Sequence, residues 1–85
     1  MSVTARMEIA VYPLGTGEAG VSREVSRIFE VLDRRGLVYQ VTIMGTVAEG
    51  TPDELFSLAR ELHEAVFADD IKRVVTILRI DERRL

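Results

Sequence analysis

Few side chains in this 85-residue sequence are equipped for chemistry. There is one histidine, His63, and no cysteine, which excludes thiolate nucleophiles, thiolate metal sites and disulfides. One histidine leaves only carboxylates to complete a metal site. General-base catalysis from it would need a reacting group within reach, and no motif marks one. His63 therefore reads either as a partly buried helix residue beside an apolar stripe or as a hydrogen-bonding group for a ligand. Glu49, just before Gly50, is in the simplest reading a solvated strand end. It gains interest if Thr46 and His63 converge on it. Glu8 interrupts an apolar stretch, and a cross-strand pair with Arg73 or Arg79 would account for it. The pairs Arg34-Arg35 and Arg83-Arg84 read as solvated ends, the first complementing a helix C-terminus.

Gly15-x-Gly17-x-x-Gly20 matches the dinucleotide fingerprint, whose glycines let backbone approach a pyrophosphate. That fingerprint requires a doubly wound parallel sheet and an acid near the end of the second strand. Eighty-five residues in this order cannot supply the first, and Thr42-Ile43-Met44 stands where the second should be. Two readings of the loop remain. It is an anion or polar-ligand cradle at a helix N-terminus, or a connection capped by Ser22.

The elements that must position these groups follow from hydrophobic periodicity. Met7, Ile9 and Val11 alternate with Glu8, Ala10 and Tyr12, the pattern of a strand, and Pro13 is expected to end it. Val25, Ile28, Phe29 and Leu32 have helical spacing, with Val21 as a staple before Ser22 and Gly36 as the left-handed terminator. Val38 to Ile43 and Thr46 to Glu49 form a hairpin around Met44-Gly45. Thr51-Pro52-Asp53-Glu54 is a helix start with threonine as cap, proline at the first position and glutamate to complete a capping box. Leu55, Leu58, Ala59, Leu62, Ala65 and Val66 give that helix its stripe, and Asp69-Asp70 marks the exit. Arg73 to Ile80 is the last strand. The fold class is α+β: a ferredoxin-like βαββαβ chain, one domain over residues 1–85. Its four-stranded antiparallel sheet carries two helices on one face.

Such a sheet leaves its second face uncovered. Tyr12, Ala10, Thr42, Thr46 and Thr76 are expected there, with apolar neighbours from the last strand. That mixture suits a subunit interface, a ligand site or both. An apolar content of 47% exceeds what one layer of helices on a sheet requires and points to self-association. A net charge of −3 provides no basic field for nucleic acid or anionic lipid. No stretch reaches the roughly 20 apolar residues of a membrane span. The absence of cysteine fits a cytoplasmic protein.

Several stretches taken in order resemble the thiamine-binding protein family of the MTH1187/YkoF-like type. They are Pro13-Leu14-Gly15-Thr16-Gly17, Val21-Ser22, Tyr39, Met44-Gly45-Thr46, Glu49-Gly50, His63-Glu64, Lys72-Arg73-Val74 and Ile80-Asp81. The resemblance implies a ferredoxin-like homodimer or homotetramer that binds thiamine or its hydroxymethylpyrimidine part, with no known turnover and no cofactor. Carried over by matching motifs, the ligand-binding residues it implies are Gly15, Thr16, Ser22, Thr46, Glu49 and His63. Met44, Tyr39 or Ile43 could form an apolar wall. Family members often continue past the Ile80-Asp81 segment into a tail between subunits, and the present sequence stops at Leu85.

Rival functions of this fold lack their residues. Acylphosphatase-type catalysis needs an asparagine, and the chain has none. Metal-transfer domains need a CxxC. An RNA-binding sheet needs exposed aromatics and basic charge, whereas the only tyrosines are Tyr12 and Tyr39. The principal alternative to a thiamine binder is a structural or regulatory self-association module with no thiamine site.

Overall fold

A computed structural model describes residues 4–15, 22–67 and 71–84, with the side chains of 22–24 outside that description. The element order is β1 (Ala5–Leu14), α1 (Ser22–Arg35), β2 (Val38–Thr42), β3 (Gly45–Gly50), α2 (Pro52–Val66) and β4 (Arg73–Glu82). The four strands form one antiparallel sheet in the order β2-β3-β1-β4. This is the ferredoxin-like α+β arrangement the sequence pattern predicts.

Alternation along the strands decides what each face carries. Ala5, Met7 and Ile9 of β1 and Ala48 of β3 turn to the helices and are buried. They meet Leu55, Leu58, Ala59 and Leu62 of α2 and Val31 and Leu32 of α1. Register places Thr46 opposite Ile9 and Thr76 opposite Val11, so both threonines lie on the helix side of the sheet. The expectation that they belong to the uncovered face is therefore wrong. Ala10, Tyr12 and Thr42 do lie on it, together with Val47, Val75 and Ile77.

Thr51 caps α2 as its sequence indicates. Its hydroxyl accepts from the Glu54 N–H at 3.2 Å, and the Glu54 carboxylate accepts from the Thr51 N–H at 2.8 Å. Gly36 ends α1 at φ 70°. Pro13 does not end β1, which runs on to Leu14 with Pro13 opposite Val74. The reason is local. Pairing with β3 stops at Ile9, so beyond it β1 has β4 on one side only and a missing N–H need not cost a ladder bond. The Val21 staple, the Thr16-to-Gly20 part of the glycine loop and the Asp69-Asp70 exit lie outside the described residues.

Polar contacts join the layers. Arg34 and Arg35, read as solvated ends, both grip Glu61 of α2, Arg34 while still largely exposed and Arg35 through Nε at 2.6 Å. The Tyr39 hydroxyl donates to Asp33 at 2.8 Å, tying β2 to the end of α1 and holding the phenol protonated above its usual range. Arg79 pairs with Glu8, one of the two partners its spacing suggests.

Candidate functional site

The two helices do not share the sheet equally. α2 supplies the buried contacts with the strands, while α1 leans on α2. The first half of α1 consequently stands off the sheet. Its stripe divides: Leu32 is buried, but Val25 and Phe29 remain 41% and 39% exposed. Between that half of α1 and the end of the sheet lies a cleft of about 260 Å³. Val25, Ile28 and Phe29 form one wall, and Ile9 and Val11 form the floor. The tip of the β2–β3 hairpin closes one end with Ile43, Met44 and Gly45.

The hairpin tip is held by its own chemistry. The Thr42 hydroxyl donates to the Gly45 carbonyl at 2.9 Å and accepts from the Met44 N–H at 3.1 Å. Gly45 adopts φ 146°, and a Cβ there would stand 2.5 Å from the Ile9 carbonyl oxygen. Only glycine lets β3 begin this close to β1, which fixes the cleft's end.

Thr46 follows directly. At 6% exposure it is the one buried polar residue among those described, and it lines the cleft. A hydroxyl in a mostly apolar recess is a recognition element, because it can orient a ligand that hydrogen-bonds to it.

The other residues implied by the motif resemblance are dispersed. Gly15 ends β1 at φ 74°. Thr16 lies outside the described residues, and Ser22 is the first residue of α1 with its side chain outside them. Glu49 is on the uncovered face, where its carboxylate pairs with Arg6 at 2.9 Å. His63 faces β4: its Nδ1 is 2.6 Å from the Thr76 hydroxyl, and its ring meets Phe67 edge-on with centroids 5.3 Å apart. Thr46, Glu49 and His63 do not converge within one protomer. Of the three wall residues suggested by the sequence, Ile43 and Met44 line the cleft and Tyr39 does not.

The sequence reading missed Val25, Ile28, Phe29 and Tyr12 as cleft residues. Their signal was present as an apolar helical stripe and a tyrosine at a strand end, but a stripe facing a cleft looks the same as one facing a core. No group of three or more histidine, aspartate or glutamate side chains suited to a metal ion occurs among the described residues.

A split βαβ sheet with a cleft beside its first helix, uncharged among the described residues, defines a small α+β domain built around a recess. The model of the family described as thiamine-binding protein matches residues 7–85, and the chain belongs to that family. It is 42% identical over 77 residues to the UPF0045 protein MJ1052 of Methanocaldococcus jannaschii, covering 91% of this chain and 75% of the relative. To the UPF0045 protein YqgV of Bacillus subtilis it is 37% identical over 81 residues, covering 91% and 78%. The crystal structure of MJ1052 superposes with a TM-score of 0.83 at 40% identity, over 95% of this chain and 81% of that one. A Thermotoga maritima protein described as a candidate for thiamine biosynthesis or salvage superposes with a TM-score of 0.78 at 25% identity, covering 94% and 84%.

Proposed function

We propose that the protein is a non-catalytic binder of thiamine or of its hydroxymethylpyrimidine part, held in the cleft between α1 and the β2–β3 hairpin. One observation carries this reading: a recess of about 260 Å³ with apolar walls has Thr46, a residue 6% exposed, in its lining as a hydrogen-bonding group. A flat aminopyrimidine offers apolar faces to Val25, Ile28 and Phe29 and hydrogen-bonding edges to Thr46. Burying a ring of about 150 Å² is worth roughly 4 kcal/mol before the cost of immobilising it. Membership in a family named for thiamine binding supports the choice of ligand.

The test is calorimetry of the full chain with thiamine and with hydroxymethylpyrimidine. Thr46→Val should weaken binding about 5- to 10-fold, the equivalent of one hydrogen bond. Glu49→Ala, on the far side of the sheet, should leave affinity unchanged. Unaltered affinity in Thr46→Val would remove the cleft as the site, and a loss in Glu49→Ala would move the site to the uncovered face.

A second use of the molecule has its own observation. The uncovered face carries Tyr12 and Ile77, 46% and 57% exposed, next along the strands from the ion pairs Arg6–Glu49 and Glu8–Arg79. An apolar strip fringed by paired charges suits self-association into a homodimer or homotetramer. Native mass spectrometry of the purified protein reads subunit count and retained ligand together. An assembly that takes up no thiamine or pyrimidine would favour a pure self-association module.

A further inference from the structure

We propose that the cleft admits the pyrimidine as its free alcohol and discriminates against phosphorylated forms of the same molecule, an inference that rests on the cleft being the ligand site. The described lining contains no charged side chain. Its polar groups are three hydroxyls. That of Thr42 is already engaged with Gly45 and Met44. Thr46 lies at the buried end, and Tyr12 is half exposed at the mouth.

The described cations lie outside the lining, Arg73 among them opposite Leu14, two residues beyond Tyr12. Arg27 and Arg34 of α1 border a separate groove with Glu30, Glu61 and Glu64. Arg6 and Arg79 of the uncovered face are matched by Glu49 and Glu8. A phosphate ester carries about −1.5 to −2 charges near neutral pH. Drawn into this recess, it would shed water and meet methyl groups and aromatic edges, a desolvation that nothing in the described lining offsets. Size points the same way. At about 260 Å³ the cleft is smaller than the roughly 300–1,000 Å³ typical of drug-sized ligands. One substituted ring fills it, and the cationic ring of thiamine is left at the mouth beside Tyr12 and Phe29, whose faces attract cations.

The glycine-rich segment from Thr16 to Gly20, a possible anion cradle by sequence, lies outside the described residues. Preferential binding of phosphate forms would be its signature and would overturn the proposal.

The experiment is calorimetric titration of the full chain with four probes: hydroxymethylpyrimidine, its monophosphate, thiamine and thiamine diphosphate. Each phosphorylated probe should bind at least about tenfold more weakly than its free counterpart, as expected for an unpaired charge at an apolar wall. Val25→Lys places a cation on that wall at a position already 41% exposed. It should bring the ratio below about threefold, because an opposite charge offsets the desolvation. Phe29→Lys, one turn further along, is the second variant if the first does not fold. Phosphorylated probes binding as tightly as free ones would overturn the discrimination alone. A ratio unmoved by a folded lysine variant would overturn charge as its origin. Failure of all four probes to bind would overturn the cleft reading together with this inference.

Discussion

At the scale of single residues, two neighbours at the start of β3 matter most. Gly45 permits the close approach to Ile9, and Thr46 then lines the recess that the approach closes. Gly45→Ala would force a Cβ against a carbonyl oxygen at 2.5 Å in a backbone conformation that L side chains rarely adopt. A loss of about 2–4 kcal/mol is expected from overpacking and strain together. Chemical denaturation measures it, and a cost below about 0.5 kcal/mol, the size of an ordinary surface substitution, would show that β3 can slide away from β1. The role of Thr46 was only partly legible in the sequence. Its place in the Met44-Gly45-Thr46 stretch marked it, but its face was misassigned. Strand parity says which residues share a side, not which side faces inward. Where both sides are mixed, as with Thr42 and Thr46 around a turn, only the register settles it.

Elements show the same division. The start of α2 was legible because capping is local: Thr51, Pro52 and Glu54 satisfy the first free amides whatever the helix packs against. Thr51→Ala should cost about 1 kcal/mol, read as a lowered denaturation midpoint with unchanged slope. The stand-off of α1 was not legible, because it depends on a contact between distant segments. Glu61 of α2 is gripped by Arg34 and Arg35 at the far end of α1, which anchors that end and leaves the Val25–Phe29 half free of the sheet. The hydrogen bonds from Arg34 and then Arg35 hold the Glu61 carboxyl below its ordinary value of 4.5. A carboxyl depressed in the folded state stabilises it fully above the unfolded value. That contribution fades as pH falls below about 4.5 towards the folded value. Because these groups are partly exposed, Glu61→Gln should cost only about 0.5–1 kcal/mol at pH 7. The gap between variant and wild type should close in acid. Denaturation curves between pH 7 and pH 3 check this, and a gap that persists at pH 3 would assign the loss to packing.

For the whole molecule, the decisive feature is that the sheet has two unlike faces. One is closed by α2 over Met7, Ile9 and Ala48. The other shows Ala10, Tyr12, Val47, Val75 and Ile77 to solvent in a single protomer. β4 explains why its sequence could not say which side is which: Val74, Leu78 and Ile80 alternate with Val75 and Ile77, so both sides are apolar. A strand written this way is expected where both faces end up covered, and a second copy is the simplest cover for the outer one. Ile77 separates the proposed assembly from the proposed ligand site, since it is 57% exposed, belongs to the uncovered face and does not line the cleft. Ile77→Asp should therefore leave the protomer folded, with a stability change within about 0.5 kcal/mol per protomer before assembly is counted. It should shift sedimentation velocity from an oligomer towards the single chain by placing an unpaired carboxylate at the centre of the contact. If the cleft is complete within one chain, the dissociated variant still binds hydroxymethylpyrimidine with wild-type affinity. If binding disappears along with the oligomer, the partner completes the mouth of the cleft through Tyr12 and Met44, which border both the cleft and the uncovered face.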